Sequence, residues 1–120
     1  MYLIDSNIVI YSYFPENEYL IEFILKNKCY ISVISKIETL GYYKLSKSEK
    51  NYLEFFFEAI PSIPISNAII DKTIEYRQQR KMTLGDSIIA ASAYINNLTL
   101  VTANIKDFER LDIRILNPLK

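Results

Sequence analysis

The chain has 120 residues, half of them hydrophobic, and its 14 basic and 14 acidic side chains give no net charge at pH 7. This length predicts a single globular domain over residues 1–120, and the balanced charge excludes a protein that coats nucleic acid through bulk positive charge. The chain contains no histidine and only one cysteine, which excludes imidazole-based catalytic triads as well as histidine or thiolate metal sites.

The single cysteine, Cys29, cannot form an intramolecular disulfide and is typical of a buried thiol in a reducing compartment. No apolar run approaches the roughly 20 residues that cross a bilayer. The N-terminus also lacks the basic segment of a signal peptide. We therefore expect a cytoplasmic protein without a membrane partner.

Strands and helices are predicted to alternate along the chain. A strand over residues 1–5 precedes a short helix that is capped by Ser6 or Asn7 and broken by Pro15. The later strands are predicted from β-branched runs, and the later helices from apolar residues at helical spacing. In chain order these are a helix over residues 18–26, a strand over 29–33, a helix that begins at Ser35, a helix over 47–59, a strand over 63–65, a helix over 67–80, a helix that Thr83 caps and that reaches residue 95, a strand over 99–101, a short helix over 107–110 and a strand over 113–116.

This alternation favours parallel pairing, because parallel strands need crossover connections that are usually helical. The sequence therefore predicts an α/β fold, a three-layer α/β/α sandwich with a four- to five-stranded, mainly parallel sheet. The helix that begins at Ser35 is predicted to face the core with an apolar stripe that also carries Glu38. That stripe consists of Ile34, Ile37, Gly41 and Leu45.

Four acids occupy apolar settings at predicted strand ends or helix starts. Asp5 closes the first strand, and Glu38, Asp86 and Asp107 lie near the starts of later helices. The C-terminal ends of parallel strands and the N-termini of the following helices share one edge of a sheet, which predicts that these acids converge. The alternative is that they only complete capping boxes. The three candidate boxes are Ser35-x-x-Glu38, Thr83-x-x-Asp86 and Asn104-x-x-Asp107.

Convergence of carboxylates favours a divalent cation. Two carboxylates about 4 Å apart repel each other by about 4 kcal/mol at an effective dielectric near 20. Mg²⁺ or Mn²⁺ prefers oxygen ligands, and such an ion can activate water against a phosphodiester. Thr102 and Asn7 are candidates to orient a carboxylate or a bound water, although Asn7 could equally cap its helix.

Four segments together resemble the successive motifs of PIN-domain ribonucleases, and the chain's length resembles the compact VapC-type toxins of toxin–antitoxin modules. These segments are LIDSN at residues 3–7, IE at 37–38, LGDSIIAA at 84–91 and TANIKDF at 102–108. The resemblance implies an α/β/α fold, Mg²⁺- or Mn²⁺-dependent endoribonuclease activity on RNA, homodimers, and inhibition by a cognate antitoxin that blocks the active site.

The resemblance also implies roles for individual residues. Asp5, Glu38, Asp86 and Asp107 become the catalytic, metal-binding quartet, supported by Asn7 and Thr102. Ser6 stands where threonine is frequent in the family and keeps the hydroxyl. Asn104 could supply the polar ligand in place of Asp107, which would then cap its helix or contact the metal through water.

Arg77, Arg80 and Lys81 precede the helix that carries Asp86 and are candidates to hold RNA phosphates. The alternative is that cations simply favour a helix C-terminus. Further, weaker candidates for RNA contact are Lys44, Lys47 and Lys106.

The aromatic run Phe55-Phe56-Phe57 covers more helix circumference than one core face requires, which predicts either core packing or a dimer or antitoxin contact at the second to fourth helices.

Two other enzyme classes are disfavoured. Receiver domains need an acid after the third strand, where this chain has SIPIS at residues 62–66, and haloacid-type phosphatases need Asp-x-Asp, whereas position 7 is Asn. A non-toxin PIN nuclease of RNA processing, or an inactive PIN-fold binding module, remains an alternative, although the inactive module would typically have lost one of the four acids.

Overall fold

The computed structural model describes residues 1–120 as five strands and seven α-helices, with one 3₁₀ turn at Pro15–Asn17. The elements are β1 (Tyr2–Ile4), α1 (Ser6–Ser12), α2 (Glu18–Lys26), β2 (Cys29–Ser32), α3 (Val33–Leu40), α4 (Lys47–Ala59), β3 (Ser62–Ile63), α5 (Asn67–Gln79), α6 (Leu84–Ile95), β4 (Thr99–Val101), α7 (Ile105–Phe108) and β5 (Ile115–Leu116).

The strands form one five-stranded sheet in the order β3-β2-β1-β4-β5, and every pairing is parallel. The chain first builds the sheet from β1 towards β3 and then returns to add β4 and β5 on the other side of β1. The strand order therefore reverses between β1 and β4, which is where ligands bind in open α/β sheets.

Adjacent residues of each central strand face opposite layers, because side chains alternate along a strand. Leu3 pairs with Leu100, and both belong to the core beneath α5 and α6. Ile4 pairs with Val101, and both belong to the core beneath α1, α2 and α4. The predicted three-layer α/β/α arrangement is thus confirmed.

Two predicted helix starts are wrong. The N-cap of α1 is Asp5, whose side chain accepts a hydrogen bond from the Ser6 N–H, so neither Ser6 nor Asn7 caps this helix. The helix α3 begins at Val33, and its N-cap is Ser32, whose hydroxyl accepts from the Ile34 N–H. Ser35 therefore lies inside α3, and the predicted capping box with Glu38 does not form.

The predicted core-facing stripe of α3 is confirmed only at Ile34 and Leu45, which pack against the core. It is wrong at Ile37, which is 65% exposed, and the fully buried positions of this helix are Ser35 and Thr39. Small hydroxyl side chains can occupy this buried face because their hydrogen bonds are satisfied locally. The Thr39 hydroxyl, for example, donates to the Ser35 carbonyl at 2.8 Å. Glu38 consequently lies on the open side of α3.

The aromatic run of α4 divides between the core and the surface. Phe56 and Phe57 are buried, whereas Phe55 is 74% exposed. Core packing therefore accounts for two of the three rings.

The remaining boundaries differ from prediction only at element ends, and the character of the buried elements agrees with prediction. The helix α6 is buried from Ser87 to Ala93, and Cys29 is a buried free thiol whose pKa is raised to about 11, mainly by burial. None of the helices combines the length and the apolar character that a membrane crossing needs.

Candidate active site

The C-terminal ends of β1 and β4 bring Asp5 and Thr102 together at the point where the strand order reverses. Asp5 follows β1, Thr102 follows β4, and the Asp5 N–H donates to the Val101 carbonyl at 2.9 Å. Both side chains are buried, with 3% of Asp5 and none of Thr102 exposed. The sheet thus places a carboxylate beneath the surface at the expected edge.

Both oxygens of Asp5 accept hydrogen bonds. Oδ1 accepts from the Ser6 N–H at 2.8 Å, and Oδ2 accepts from the Thr102 hydroxyl at 2.7 Å. The Thr102 hydroxyl in turn accepts from the Asn104 N–H at 3.0 Å. This chain of contacts fixes the carboxylate and ties β1 to the segment that leads into α7.

Glu38 reaches the same edge from α3. The Ser6 hydroxyl shares its one proton between the Ser35 hydroxyl, at 2.8 Å, and Oε1 of Glu38, at 3.3 Å. On its other side, the Glu38 carboxylate lies directly against the backbone of Gly85, so that a Cβ added at Gly85 would collide with it. Ser6 and Gly85 therefore define where this carboxylate lies.

Asp86 stands in the first turn of α6, where Thr83 is the N-cap and accepts a hydrogen bond from the Asp86 N–H at 3.2 Å. Asp5, Glu38 and Asp86 line one cleft of about 250 Å³, which we call the acidic cleft. The other residues that line the acidic cleft are Ser6, Asn7, Ile10 and Thr39.

Asp86 also lines a second cleft, of about 300 Å³, together with Asp107, Arg80 and Lys81. We call this the basic cleft. Because Asp86 belongs to both clefts, it connects the group formed by Asp5 and Glu38 with Asp107. The structure therefore brings three of the four predicted acids to one cleft and the fourth to the cleft beside it.

The acids influence one another electrostatically. The pKa of Asp5 is raised to about 6, chiefly by burial and further by the charges of Asp86 and Glu38, although hydrogen bonds from Thr102 and Ser6 oppose the rise. The pKa of Asp86 is raised by burial and by the charge of Asp107. These carboxylates repel one another across the junction of the two clefts.

The model of the PIN domain family matches residues 2–114, which is nearly the whole chain. The chain belongs to the PIN-domain family. It is also 32% identical to Ribonuclease VapC2 of Rickettsia felis over 97% of this chain and 96% of that protein.

Solved structures agree with this assignment. A toxin–antitoxin complex from Klebsiella pneumoniae has a chain that is 27% identical, with a TM-score of 0.81 over 100% of this chain and 99% of that one. The VapBC2 complex from Rickettsia felis bound to a DNA fragment from its promoter has a chain that is 26% identical, with a TM-score of 0.79 over 97% of both chains.

Within this PIN domain, the acids are arranged openly. No three acidic side chains lie close enough together to enclose an ion by themselves. Burial raises the pKa values of Asp5 and Asp86, and the charges of neighbouring acids raise them further. An ion at the acidic cleft would neutralise that repulsion and would meet only oxygen donors, the ligand type that Mg²⁺ and Mn²⁺ prefer.

The predicted basic residues of the PIN domain have different placements. Arg80 and Lys81 line the basic cleft, whereas Arg77 does not. The Arg80 guanidinium also donates to the carbonyl of Glu109 at 2.7 Å and to that of Asp107 at 3.4 Å. Arg80 therefore anchors the end of α7, the helix that carries Asp107.

Two further capping boxes predicted from the sequence are incomplete. At Thr83-x-x-Asp86 the hydroxyl of Thr83 caps the helix, but the structure contains no reciprocal hydrogen bond from the Thr83 N–H to Asp86. At Asn104-x-x-Asp107 the Asn104 side chain makes no capping bond, and Asn104 does not line either cleft. Neither acid is therefore held only as half of a capping box.

Sequence reasoning missed two contributors to the site, Ser35 and Gly85. The sequence pattern predicts a capping role for Ser35, yet its hydroxyl accepts from Ser6 beside Glu38. A signal for Gly85 was available, because glycine is unfavourable inside a helix and its position next to Asp86 indicates that space is needed there.

Proposed function

We propose that this protein is a metal-dependent endoribonuclease of the VapC type, the toxin of a toxin–antitoxin pair. The observation that carries the proposal is the acidic cleft, in which Asp5, Glu38 and Asp86 meet at the strand-order reversal of a PIN domain. The similarity to Ribonuclease VapC2 along nearly the full length of both chains supports the reaction class.

In this proposal Asp5, Glu38 and Asp86 hold a Mg²⁺ or Mn²⁺ ion, and Asp107 contributes from the adjoining basic cleft. When bound, the ion supplies Lewis-acid activation of a phosphodiester and of a water molecule. The chain has no histidine, and the ionisable groups that line the acidic cleft are the carboxylates of Asp5, Glu38 and Asp86, so these carboxylates are its candidate proton acceptors.

The surrounding residues position the carboxylates. Thr102 and the Ser6 N–H fix both oxygens of Asp5, and the Ser6 hydroxyl orients Glu38. Asn7 also lines the acidic cleft and can orient a water molecule through its amide. Such supporting hydrogen bonds set the direction and basicity of metal-binding groups.

Arg80 and Lys81 place positive charge in the basic cleft, beside Asp86. Because phosphate contacts position a nucleic acid without reading its sequence, these residues are assigned to hold the RNA backbone. Lys106 and Arg80 also line a separate surface depression, which would extend this path.

The partners follow from the relatives. The structural neighbours include a toxin–antitoxin complex and a VapBC complex, and we therefore propose an antitoxin as the protein partner of this chain, together with a homodimeric state. A cytoplasmic location follows from this function as part of the proposal.

The test is cleavage of single-stranded RNA by purified protein that has been stripped of metal with a chelator. We expect cleavage only after addition of Mg²⁺ or Mn²⁺, and none from Asp86→Asn. Asp71→Asn is the matched control, because Asp71 is exposed on α5 and lines neither cleft. Equal cleavage in excess chelator, or by Asp86→Asn, would refute the proposal.

A further inference from the structure

A surface depression adjoins the basic cleft at Arg80 and shares no residue with the acidic cleft. Its volume is about 390 Å³, and it is lined by Arg80, Lys106, Glu109 and Arg110. We call it the α7 depression, because the last three of these residues belong to α7 or follow it directly. The acidic cleft, the basic cleft and the α7 depression therefore form a series, joined first by Asp86 and then by Arg80.

The α7 depression concentrates positive charge that no carboxylate neutralises. Three of its four lining residues are basic, although basic and acidic residues are equal in number over the whole chain. Both ion pairs of the protein belong to Lys72. Lys106 and Arg110 consequently form no ion pair, even with Glu109 beside them, and their charges are available to a ligand.

The backbone that carries these two cations is ordered. Phe108, which lies between them in the sequence, is fully buried. The turn over residues 108–111 is closed by a hydrogen bond of 3.3 Å from the Leu111 N–H to the Phe108 carbonyl. Arg80 also donates to two carbonyls of this segment. A ligand would therefore meet cations on a fixed backbone, which lowers the entropic cost of binding.

Arg110 has an unusual backbone conformation. Its φ angle is 72°, in the left-handed region that favours glycine. A glycine would adopt this conformation with less strain, so the turn itself does not require an arginine. Strain of this kind clusters at functional sites, and the free charge of Arg110 is the property that a glycine would lack.

The chemistry of the α7 depression restricts what can bind there. No hydrophobic residue lines it, so it offers neither an aromatic ring for a nucleobase nor the apolar centre that protein interfaces contain. Lysine and arginine bind phosphate oxygens through charge-assisted hydrogen bonds. A phosphate of a polynucleotide backbone therefore fits this surface best.

We infer that the α7 depression binds a backbone phosphate of the RNA substrate, through Lys106 and Arg110. The inference rests on the proposed ribonuclease function and assigns the direction in which the substrate leaves the site. The strand runs from the acidic cleft through the basic cleft and then over α7. Arg80 supports this path from beneath, because its guanidinium is bonded to the carbonyls of Asp107 and Glu109.

The test measures binding of a short, fluorescently labelled single-stranded RNA by anisotropy, in chelator and at several salt concentrations. The variants are Lys106→Gln, Arg110→Gly and the two combined. Arg110→Gly removes the cation and also suits the left-handed backbone, so weaker binding cannot be explained by loss of the turn. Lys26→Gln is the matched control, because Lys26 is exposed at the end of α2, at the opposite edge of the sheet.

The salt dependence of binding counts the phosphates that the protein neutralises. For single strands, each phosphate contributes about 0.7 to the slope of the logarithm of the binding constant against the logarithm of salt concentration. Lys106→Gln and Arg110→Gly should each lower this slope, and the combined variant should lower it by about 0.7. Lys26→Gln should leave the slope unchanged.

A second measurement locates the phosphate. Each phosphate of the RNA is replaced in turn by an uncharged methylphosphonate, and binding is compared for the wild type, Lys26→Gln and the combined variant. At one linkage the replacement should weaken binding by the wild type and by Lys26→Gln, and the combined variant should no longer respond to it. The same response of all three proteins at every linkage would refute the inference.

Two further results would overturn the inference, and they can be told apart. A slope for the combined variant equal to that of the wild type would refute the phosphate site alone, and would leave an acidic segment of a protein partner as the ligand of the α7 depression. Absence of RNA cleavage by the wild type with Mn²⁺ would refute the ribonuclease function, and the substrate path over α7 with it.

Discussion

The Thr102 hydroxyl donates a 2.7 Å hydrogen bond to Oδ2 of Asp5, a residue 97 positions away along the chain. This contact joins the ends of β1 and β4 at the reversal of strand order. It also opposes the rise in the pKa of Asp5 that burial causes. The same hydroxyl accepts from the Asn104 N–H, so one buried side chain connects the fold to the site.

Thr102→Val should impair the site, because it removes this donor while keeping the shape of the side chain. We expect a loss of about 10–100-fold in the apparent affinity for Mn²⁺ or in kcat/KM, the range found for supporting hydrogen bonds at metal sites. Thr102→Ser keeps the hydroxyl and should retain most of the activity. Measurement of kcat/KM as a function of Mn²⁺ concentration tests this expectation. Equal values for Thr102→Val and Thr102→Ser at every Mn²⁺ concentration would contradict it.

Asp5→Asn should abolish cleavage yet stabilise the metal-free protein at neutral pH. The pKa of Asp5 rises from 3.8 to about 6 on folding, so the folded state binds the proton more tightly than the unfolded state does. The resulting stabilisation is complete below pH 3.8 and is lost as the pH rises through about 6. A side chain that cannot ionise avoids this loss.

The expected gain in the free energy of unfolding for Asp5→Asn is about 1–3 kcal/mol at pH 7.5. It should vanish near pH 4, where Asp5 of the wild type is protonated in the folded protein. Urea denaturation in the presence of chelator at both pH values measures the difference. A variant that is less stable than the wild type at pH 7.5 would show that ionisation of Asp5 does not destabilise the folded, metal-free protein.

Gly85→Ala should lower activity without unfolding the protein. Alanine is favoured over glycine inside a helix by about 1 kcal/mol, but its Cβ would collide with the Glu38 carboxylate. Since a glutamate side chain is flexible, the carboxylate would move rather than the backbone, and we expect kcat/KM to fall at least tenfold.

Shortening the side chain offers a check on this explanation. In the Gly85→Ala variant, Glu38→Asp withdraws the carboxylate from the new methyl group. The change Glu38→Asp should therefore lower kcat/KM less in the Gly85→Ala variant than in the wild type. A Gly85→Ala protein with normal kcat/KM would mean that the exact location of Glu38 is unimportant.

Arg80→Gln should reduce activity more than Arg77→Gln does. Arg80 lines the basic cleft and donates to the carbonyls of Glu109 and Asp107, whereas Arg77 does neither. We expect a reduction of about tenfold for Arg80→Gln and near-normal kcat/KM for Arg77→Gln. Equal losses for both would indicate a diffuse electrostatic effect instead of the specific contacts of Arg80.

The sequence predicted the sheet and the meeting of the acids, because both depend on simple regularities. Strands that alternate with helices pair in parallel, and the C-terminal ends of parallel strands share an edge. These two regularities are sufficient to place Asp5, at the end of β1, near Asp86, at the start of α6. That they hold metal and catalyse cleavage stays a prediction.

The sequence could not locate α3 correctly, because Ser32 and Ser35 are both acceptable N-caps and only the end of β2 decides between them. Hydrophobic periodicity also predicted burial of Ile37, whereas Ile34 alone of the apolar residues of that stripe within α3 packs against the core. Ile37 is exposed, and Ser35 and Thr39 are buried, because their hydroxyls find partners in Ser6 and in the helix backbone. Such compensation depends on neighbours that a local pattern does not contain.

The contact between Gly85 and Glu38 likewise depends on the packing of α3 against α6, which are separated by two helices and a strand in the sequence. The mainly apolar cleft of about 230 Å³ that adjoins the acidic cleft at Ile10, Glu38 and Thr39 has the same origin. Its residues come from α1, α3, α4 and the connection between the last two, and no spacing within any one of these elements indicates a cavity.

The most direct test of the central claim, that carboxylates distant in sequence together bind a divalent ion, is a titration of the chelator-stripped protein with Mn²⁺ by calorimetry at pH 7.5. The wild type should bind Mn²⁺, and Asp86→Asn should lose about 100-fold or more in affinity, because Asp86 lines both the acidic and the basic cleft. Equal affinity of the two proteins for Mn²⁺ would contradict the account.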